Sequence, residues 1–359
     1  MGESSIDIIK VSEWGFFPDT SRPLIISGPC SAETEDQMFE TAMALKGSVQ
    51  AVRAGIWKPR THPGCFEGVG SRGLEWLVRI RKELGMKVIV EVANPVHIEA
   101  VLKAGLDMIW IGTRTTTNPF AMQDISEALR GIDIPVFVKN PINPDVELWM
   151  GALERLNMVG IKKLAAIHRG FSFYEKSKYR NIPKWQVPIE IKRRIPDLLM
   201  LCDPSHISGK REYIAEISQQ AMDLGFDGLF IESHINPECA LSDADQQISP
   251  AVLKEIIASL ILKNYDSKNS EYIAKIEELR SQIDMLDDNI LALLSARMSV
   301  VEKIGQSKKY NNITILQPRR WEEILEKVSA SAIEKGLDKE FVAELYKLIH
   351  QASIDRQSK

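Results

Sequence analysis

Short apolar runs and longer amphipathic stretches alternate through residue 262. The runs at 24–27, 51–56, 87–92, 108–112, 135–139, 163–168, 198–202 and 228–232 read as strands. Stretches of helical spacing lie between them, among them 74–84, 96–104, 122–129 and 213–224. Gly85, Gly105, Gly131, Gly160 and Gly225 follow such stretches, where helix C-caps are expected. Strand and helix in alternation give a parallel sheet, either closed or open and doubly wound. The ends of the runs decide between them. Gly28-Pro29-Cys30-Ser31, Lys58-Pro59-Arg60-Thr61, Gly112-Thr113-Arg114, Lys139-Asn140, His168-Arg169-Gly170, Asp203-Pro204-Ser205-His206 and Glu232-Ser233-His234 each follow one. An open sheet gathers its ligand residues at one switch point. Here they are spread over nearly all strands, so the expected fold is a closed (β/α)8 TIM barrel with its active site at the C-terminal mouth. Its last helix is expected from 249 or 250 to about 262.

The texture then changes. Residues 263–270 are short and polar and read as a linker. From 271 to 309 there is no proline, and Gly305 is the lone glycine. Apolar residues recur at Ile273, Ile276, Leu279, Ile283, Leu286, Ile290, Leu293 and Leu294, mostly three or four apart. This predicts one amphipathic helix of roughly 55–60 Å. Pro318 suits the first turn of a second helix. Gly336 suits its C-cap, and Asp338 the N-cap of a third helix ending near Gln357. On pattern alone the long helix reads first as a dimerising coiled coil. The expected organisation is a barrel at 1–262 with a lead-in at 1–22, a linker at 263–270, and an all-α three-helix domain at 271–359.

Composition narrows the partners. The chain has 359 residues and a net charge of −4, so no global field favours nucleic acid or a membrane surface. Anionic ligands must be held by local cations. Four cysteines do not make a disulfide framework. No apolar run reaches membrane-span length, and the N-terminus, with Glu3 and Asp7, lacks a signal pattern. A reducing cytoplasm is expected.

Two kinds of chemistry gather at the strand ends. Cys30, His206, Glu232 and Asp243 offer sulfur, nitrogen and oxygen, a set suited to a divalent transition metal. No compact spacing links them. In isolation Cys30 reads more often as a small buried side chain, and Asp243 equally as a turn or cap residue. Arg53, Lys58, Arg60, Arg114, Lys139 and Arg169 fall within or just after strands. Arg53 and Lys58 stand in apolar company and need partners. Carboxylates would serve. Six cations at one mouth better suit a ligand set with several negative charges, such as two phosphates and a carboxylate.

These motifs, with Asn236-Pro237 and Ala240-Leu241-Ser242-Asp243 after Glu232, resemble the type I 3-deoxy-D-arabino-heptulosonate 7-phosphate (DAHP) synthases over about residues 20–262. The short lead-in resembles the subfamily without a large N-terminal regulatory extension. The resemblance implies that Cys30, His206, Glu232 and Asp243 bind a divalent metal, Mn2+ first, with Co2+, Zn2+, Fe2+ or Cd2+ as alternatives. It implies that Arg53, Lys58, Arg114, Lys139 and Arg169 hold phosphoenolpyruvate. Arg60 and Thr61 would hold the phosphate of erythrose 4-phosphate, with Asp203 near the metal and the aldehyde end. Lys58 is the candidate proton donor. The rival within the fold is the eight-carbon sugar-acid synthase, which takes arabinose 5-phosphate and usually carries Asn where this chain has Pro59-Arg60-Thr61. His62-Pro63-Gly64 after Thr61, and His168 before Arg169, depart from the common pattern.

The helical region carries its own cations. Arg297 and Lys308 are close to three turns apart, about 16 Å on one face, and can flank a small dianion. Arg280 is about 25 Å before Arg297 and reaches such a site only from an antiparallel second copy. The ungapped set Leu279-Arg280-Ser281-Gln282-Ile283-Asp284, Leu293-Leu294-Ser295-Ala296-Arg297 and Ile304-Gly305-Gln306-Ser307-Lys308, then Arg320, Ser353 and Gln357, resembles the all-helical chorismate mutases. The resemblance implies an intertwined dimer, with a tetramer as the larger alternative. Arg280 of one chain and Arg297, Lys308, Arg320, Ser353 and Gln357 of the other would bind chorismate, with Lys308 and Gln357 at its ether oxygen. Gln317 stands where Asp is common and Trp321 where Glu is common. The expected activity is bifunctional: DAHP synthesis, and rearrangement of chorismate to prephenate. Prephenate is also a candidate inhibitor of the barrel. The alternative is a barrel whose helical domain chiefly senses chorismate or prephenate and dimerises.

Overall fold

The computed structural model describes residues 6–17, 23–58, 64–173, 177–263 and 269–358. They form two compact units, Met1–Tyr265 and Asp266–Lys359. Most of the expected linker lies outside the described residues.

The first unit runs β1 (Leu24–Gly28), α1 (Glu35–Leu45), β2 (Ala51–Ala54), α2 (Arg72–Arg79), β3 (Lys87–Val92), α3 (Pro95–Ala104), β4 (Met108–Ile111), α4 (Thr113–Thr116) and α5 (Pro119–Ala128). It continues with β5 (Val136–Lys139), α6 (Val146–Met158), β6 (Leu164–His168), α7 (Gln186–Arg194), β7 (Leu199–Cys202), α8 (Pro204–Ser208), α9 (Ile214–Asp223), β8 (Gly228–Glu232) and α10 (Pro250–Ser259). The eight strands are parallel and the sheet closes, β8 pairing with β1 from Leu24↔Gly228 to Gly28↔Glu232. The barrel reading therefore holds, and the open sheet is excluded.

Alternation along each strand builds two cores. Val52, Val88, Val90, Ile109, Val136, Val138, Ala166 and Met200 face the helices. Ala51, Ile89, Met108, Trp110, Phe137, Ala165, Ile167, Leu201 and Phe230 fill the interior. The lead-in contributes Trp14 and Phe17 to that interior, Trp14 meeting Phe137 edge-on at 6.0 Å. This role was not read from the sequence.

Side chains set many helix starts. Thr34, Asn94, Asn118, Asp145, Asp203 and Ser249 each accept a backbone N–H of the first turn. The last barrel helix ends at Ser259, not near Leu262. There Gln219 takes both backbone groups of Ile261, accepting from its N–H at 2.9 Å and donating to its carbonyl at 3.0 Å. Those contacts replace another helical turn. β2 is likewise shorter than expected, because Gly55 leaves the ladder to bridge Ser31.

The second unit is α11 (Ser270–Tyr310), α12 (Pro318–Glu334) and α13 (Lys339–Gln357), with α13 packed on both others. The 41 residues of α11 make a rod of about 60 Å. Few side chains in this unit are buried, among them Val301, Ala332, Val342 and Ser353. Leu286 and Leu293 are 60% and 71% exposed, and Ile283 and Ile290 are exposed with them. No helix among the described residues is long and apolar enough to cross a membrane.

Candidate active sites

Arg53 anchors the barrel site. Its neighbours Val52 and Ala54 face the helices, so it points inward. Its guanidinium lies 4.5 Å from the Phe230 ring centre and 5.1 Å from that of Trp110. Nη2 donates to Glu232 Oε1 at 3.0 Å, and Nη1 stands 4.0 Å from Asp203 Oδ2. Carboxylates and aromatic faces together offset the cost of burying this cation. β1 approaches closely here: a Cβ at Gly28, whose φ is +156°, would sit 2.2 Å from the Arg53 carbonyl oxygen.

Beside Arg53, Cys30 Sγ and carboxylate oxygens of Glu232 and Asp243 lie within 4.8 Å of one another. Cys30 Sγ is 3.3 Å from Asp243 Oδ2. His206 is not one of those three but stands beside them, Nε2 3.7 Å from Glu232 Oε1. Its Nδ1 is 2.8 Å from Asp203 Oδ2 without the alignment of a hydrogen bond. Asp243 has a left-handed backbone, φ 48°. Arg180 Nη1 donates to its Oδ1 at 2.9 Å and to Gln246 Oε1 at 2.7 Å, and Gln246 donates to Glu232 Oε2 at 2.7 Å.

Electrostatics fit this group to a cation. Burial, then the neighbouring Glu232, push the Cys30 thiol up to about 12. Burial would also raise Glu232 and Asp243, but His206 with Arg53 or Arg180 outweighs it and lowers both. A thiol, two carboxylates and an adjacent imidazole suit a divalent transition metal, and a bound cation favours the thiolate that burial disfavours.

Cys30, Arg53, Lys58, Arg114, Lys139, Arg169, His206 and Asp243 line one cavity of about 120 Å³. Lys139 donates to Asp203 at 2.7 Å, and Asp203 caps α8 by accepting from the His206 N–H at 3.0 Å. Burial lowers Lys139 and brings Arg169 down to about 10. Burial also pulls on Lys58, yet Cys30 and Glu91 overcome it and its pKa rises. Arg60 and Thr61 lie outside the described residues.

Thr113, from the strand-end cluster Gly112-Thr113-Arg114, lines the same cavity, as do Glu91 and Arg180, which were not read from the sequence. Glu91 Oε2 is 3.4 Å from Lys58 Nζ. Asn181 was missed too. It accepts from Arg169 Nη1 at 3.0 Å and donates to the His206 carbonyl at 2.7 Å, joining the cation side to the metal side. The neighbouring pair Arg180-Asn181 lies between strand and helix, where no periodicity marks it.

The second unit holds a cavity of about 400 Å³. Arg297, Lys308, Arg320, Ser353 and Gln357 line it, and Arg280 does not. Arg297 Nη1 and Ser353 Oγ are 2.6 Å apart, and Lys308 Nζ donates to the Ile315 carbonyl at 2.5 Å. Gln317, Trp321 and His350 complete the polar and aromatic lining.

The model of the DAHP synthetase I family matches residues 15–268, and that of chorismate mutase type II matches 279–358. The chain belongs to the DAHP synthetase I family. It is a bifunctional enzyme, a DAHP synthase joined to a chorismate mutase. The phospho-2-dehydro-3-deoxyheptonate aldolase of Thermotoga maritima is 32% identical over 237 residues, covering 66% of this chain and 68% of that one. Its crystal structure matches with a TM-score of 0.60 over 66% of this chain and 67% of that chain. The 2-dehydro-3-deoxyphosphooctonate aldolase of Nitratidesulfovibrio vulgaris is 29% identical over 258 residues, 66% of this chain and 92% of that one. The cavity of the first unit is lined by residues within the first match, and that of the second unit by residues within the second.

Proposed function

We propose that the barrel condenses phosphoenolpyruvate with erythrose 4-phosphate to DAHP and phosphate, and that the helical unit rearranges chorismate to prephenate. The observation that carries the first half is one cavity in which a sulfur–carboxylate cluster meets a set of cations. Cys30, Glu232 and Asp243, with His206 beside them, would hold a divalent metal, Mn2+ first among Co2+, Zn2+, Fe2+ and Cd2+. When bound, it supplies Lewis acidity to the aldehyde oxygen. Arg114, Lys139 and Arg169, with Arg53 and Lys58, hold phosphoenolpyruvate so that its carbon 3 meets the aldehyde carbon. Arg60 and Thr61 take the sugar phosphate. Lys58, paired with Glu91, gives its proton to the aldehyde oxygen as that oxygen becomes the new hydroxyl. Asp203 orients Lys139 and lies toward the aldehyde end. Water quenches carbon 2, and phosphate leaves by C–O cleavage. A chelator in the assay tests this. Barrel turnover should vanish while chorismate rearrangement, which needs only charges and hydrogen bonds, continues. Full condensation in chelator would overturn the metal assignment.

In the helical unit, Arg297, Arg320 and Ser353 would bind chorismate, and Lys308 and Gln357 would face its ether oxygen as charge builds there. The exposed apolar stripe of α11 supports a homodimer in which Arg280 of a second copy completes the site. A tetramer is the larger assembly to test for. We place the enzyme in the cytoplasm, in keeping with its free cysteines.

Gln317 and Trp321 favour a second reading, in which the helical unit chiefly senses chorismate or prephenate and restrains the barrel. Titrating prephenate against barrel turnover separates the two, since linkage requires the ligand to prefer one state of the enzyme.

A further inference from the structure

The helical cavity carries a polar group that its expected chemistry does not use. All its charged lining is cationic: Arg297, Lys308 and Arg320. Those groups suit the two carboxylates of chorismate. Chorismate also bears a ring hydroxyl, and no carboxylate lines the cavity to receive it among the described residues. Two of the neutral groups are partly committed. Ser353 Oγ lies 2.6 Å from Arg297 Nη1 and donates to the Ile349 carbonyl at 2.6 Å. Gln357 donates to the Ser353 carbonyl at 3.3 Å and faces the ether oxygen in the reading above.

His350 remains. Its ring stacks on Trp321, with centroids 4.0 Å apart and planes 10° from parallel. The two residues come from different helices, so the stack fixes the imidazole plane at the cavity wall. His350 Nε2 is buried and has no hydrogen-bond partner among the described residues. A buried, partnerless ring nitrogen is costly and asks for an explanation. Burial, with Arg297 and Lys308 nearby, lowers its pKa, so the ring is neutral near pH 7 and offers both a donor and an acceptor. A hydroxyl needs such a partner. A carboxylate would be drawn to the surrounding cations instead.

We propose that His350, held flat by Trp321, hydrogen-bonds the ring hydroxyl of chorismate and is a specificity-determining residue of the mutase site. This rests on the reading of the helical unit as a mutase. The test uses the full-length enzyme with chorismate and with a chorismate analogue lacking the ring hydroxyl. His350→Phe keeps the stack and removes the hydrogen bond. It should lower kcat/KM for chorismate about tenfold, or about 1.4 kcal/mol, and change that for the analogue less than about twofold. His350→Gln should recover most of the loss. Should the Phe variant not fold, His350→Leu carries the same comparison. Equal loss on both substrates, or no loss on chorismate, overturns the proposal while leaving the mutase reading intact. A wild-type enzyme that neither turns over chorismate nor binds prephenate overturns both.

Discussion

Gly305→Ala is the substitution in which helix stability and site geometry pull apart most clearly. Gly305 is the one glycine of α11. Alanine there gains about 1 kcal/mol of helix propensity. Its Cβ, however, would stand 3.1 Å from Gln357 Cα and Cγ, and 3.2 Å from Gln357 Cβ. Ordinary carbon–carbon contact is about 3.5–4.0 Å, so α13 or the Gln357 side chain must retreat by about 0.5 Å. Overpacking of this kind costs about 1–3 kcal/mol, leaving the unit between unchanged and about 2 kcal/mol less stable. Activity should suffer more. Displacing a reacting-site group by 1 Å costs on the order of 100-fold, so about half that shift at Gln357 should lower mutase kcat about tenfold. Chorismate loss followed by ultraviolet absorbance, with a thermal melt of the same sample, reads both effects. Full kcat together with a stability gain of about 1 kcal/mol would refute the argument.

Three further outcomes follow from the same geometry. His168 is fully buried, with Phe171, Trp185 and Phe226 around it, and burial brings its pKa from 6.5 down to about 3. Its folded pKa is depressed, so its contribution is complete above pH 6.5 and is lost as pH falls toward 3, by up to about 1.4 kcal/mol per pH unit; urea midpoints against pH should flatten in His168→Phe, and an unchanged slope would refute the assignment. Arg280→Ala and Arg297→Ala should each nearly abolish chorismate turnover, yet co-refolding them in equal amounts should return roughly a quarter of wild-type activity through mixed dimers with one intact site; no recovery, with dimers confirmed by sedimentation, would remove the shared site. His206→Ala should weaken metal retention and barrel turnover together, whereas metal retained at wild-type level would place His206 outside the ligand set.

Much of this was legible in the chain because it depends on local pattern. Strand runs ending in polar clusters placed Cys30, Lys58, Arg114, Lys139, Arg169 and His206 at one barrel mouth, because β/α alternation makes the strands parallel and the spread of clusters over them favours closure. Arg53 stood out because a cation in an apolar run must be partnered inside. What stayed hidden depends on approach in space. Glu91 sits near the end of β3 with no motif, and meets Lys58, which follows the neighbouring strand β2. Arg180 and Asn181 act from a long loop whose course no periodicity reports. Trp321 and His350 lie on different helices, and nothing short in sequence joins them before they stack. Trp14 and Phe17 looked like a lead-in, yet they pack into the barrel interior.

In the proposed function one chain carries both activities, and the barrel chooses the four-carbon sugar. One preparation should be assayed for phosphoenolpyruvate loss with erythrose 4-phosphate and separately with arabinose 5-phosphate, and for chorismate loss. Condensation with erythrose 4-phosphate, little with arabinose 5-phosphate, and chorismate rearrangement are expected in the same sample. Preference for arabinose 5-phosphate, or a preparation that condenses but leaves chorismate untouched, would contradict it.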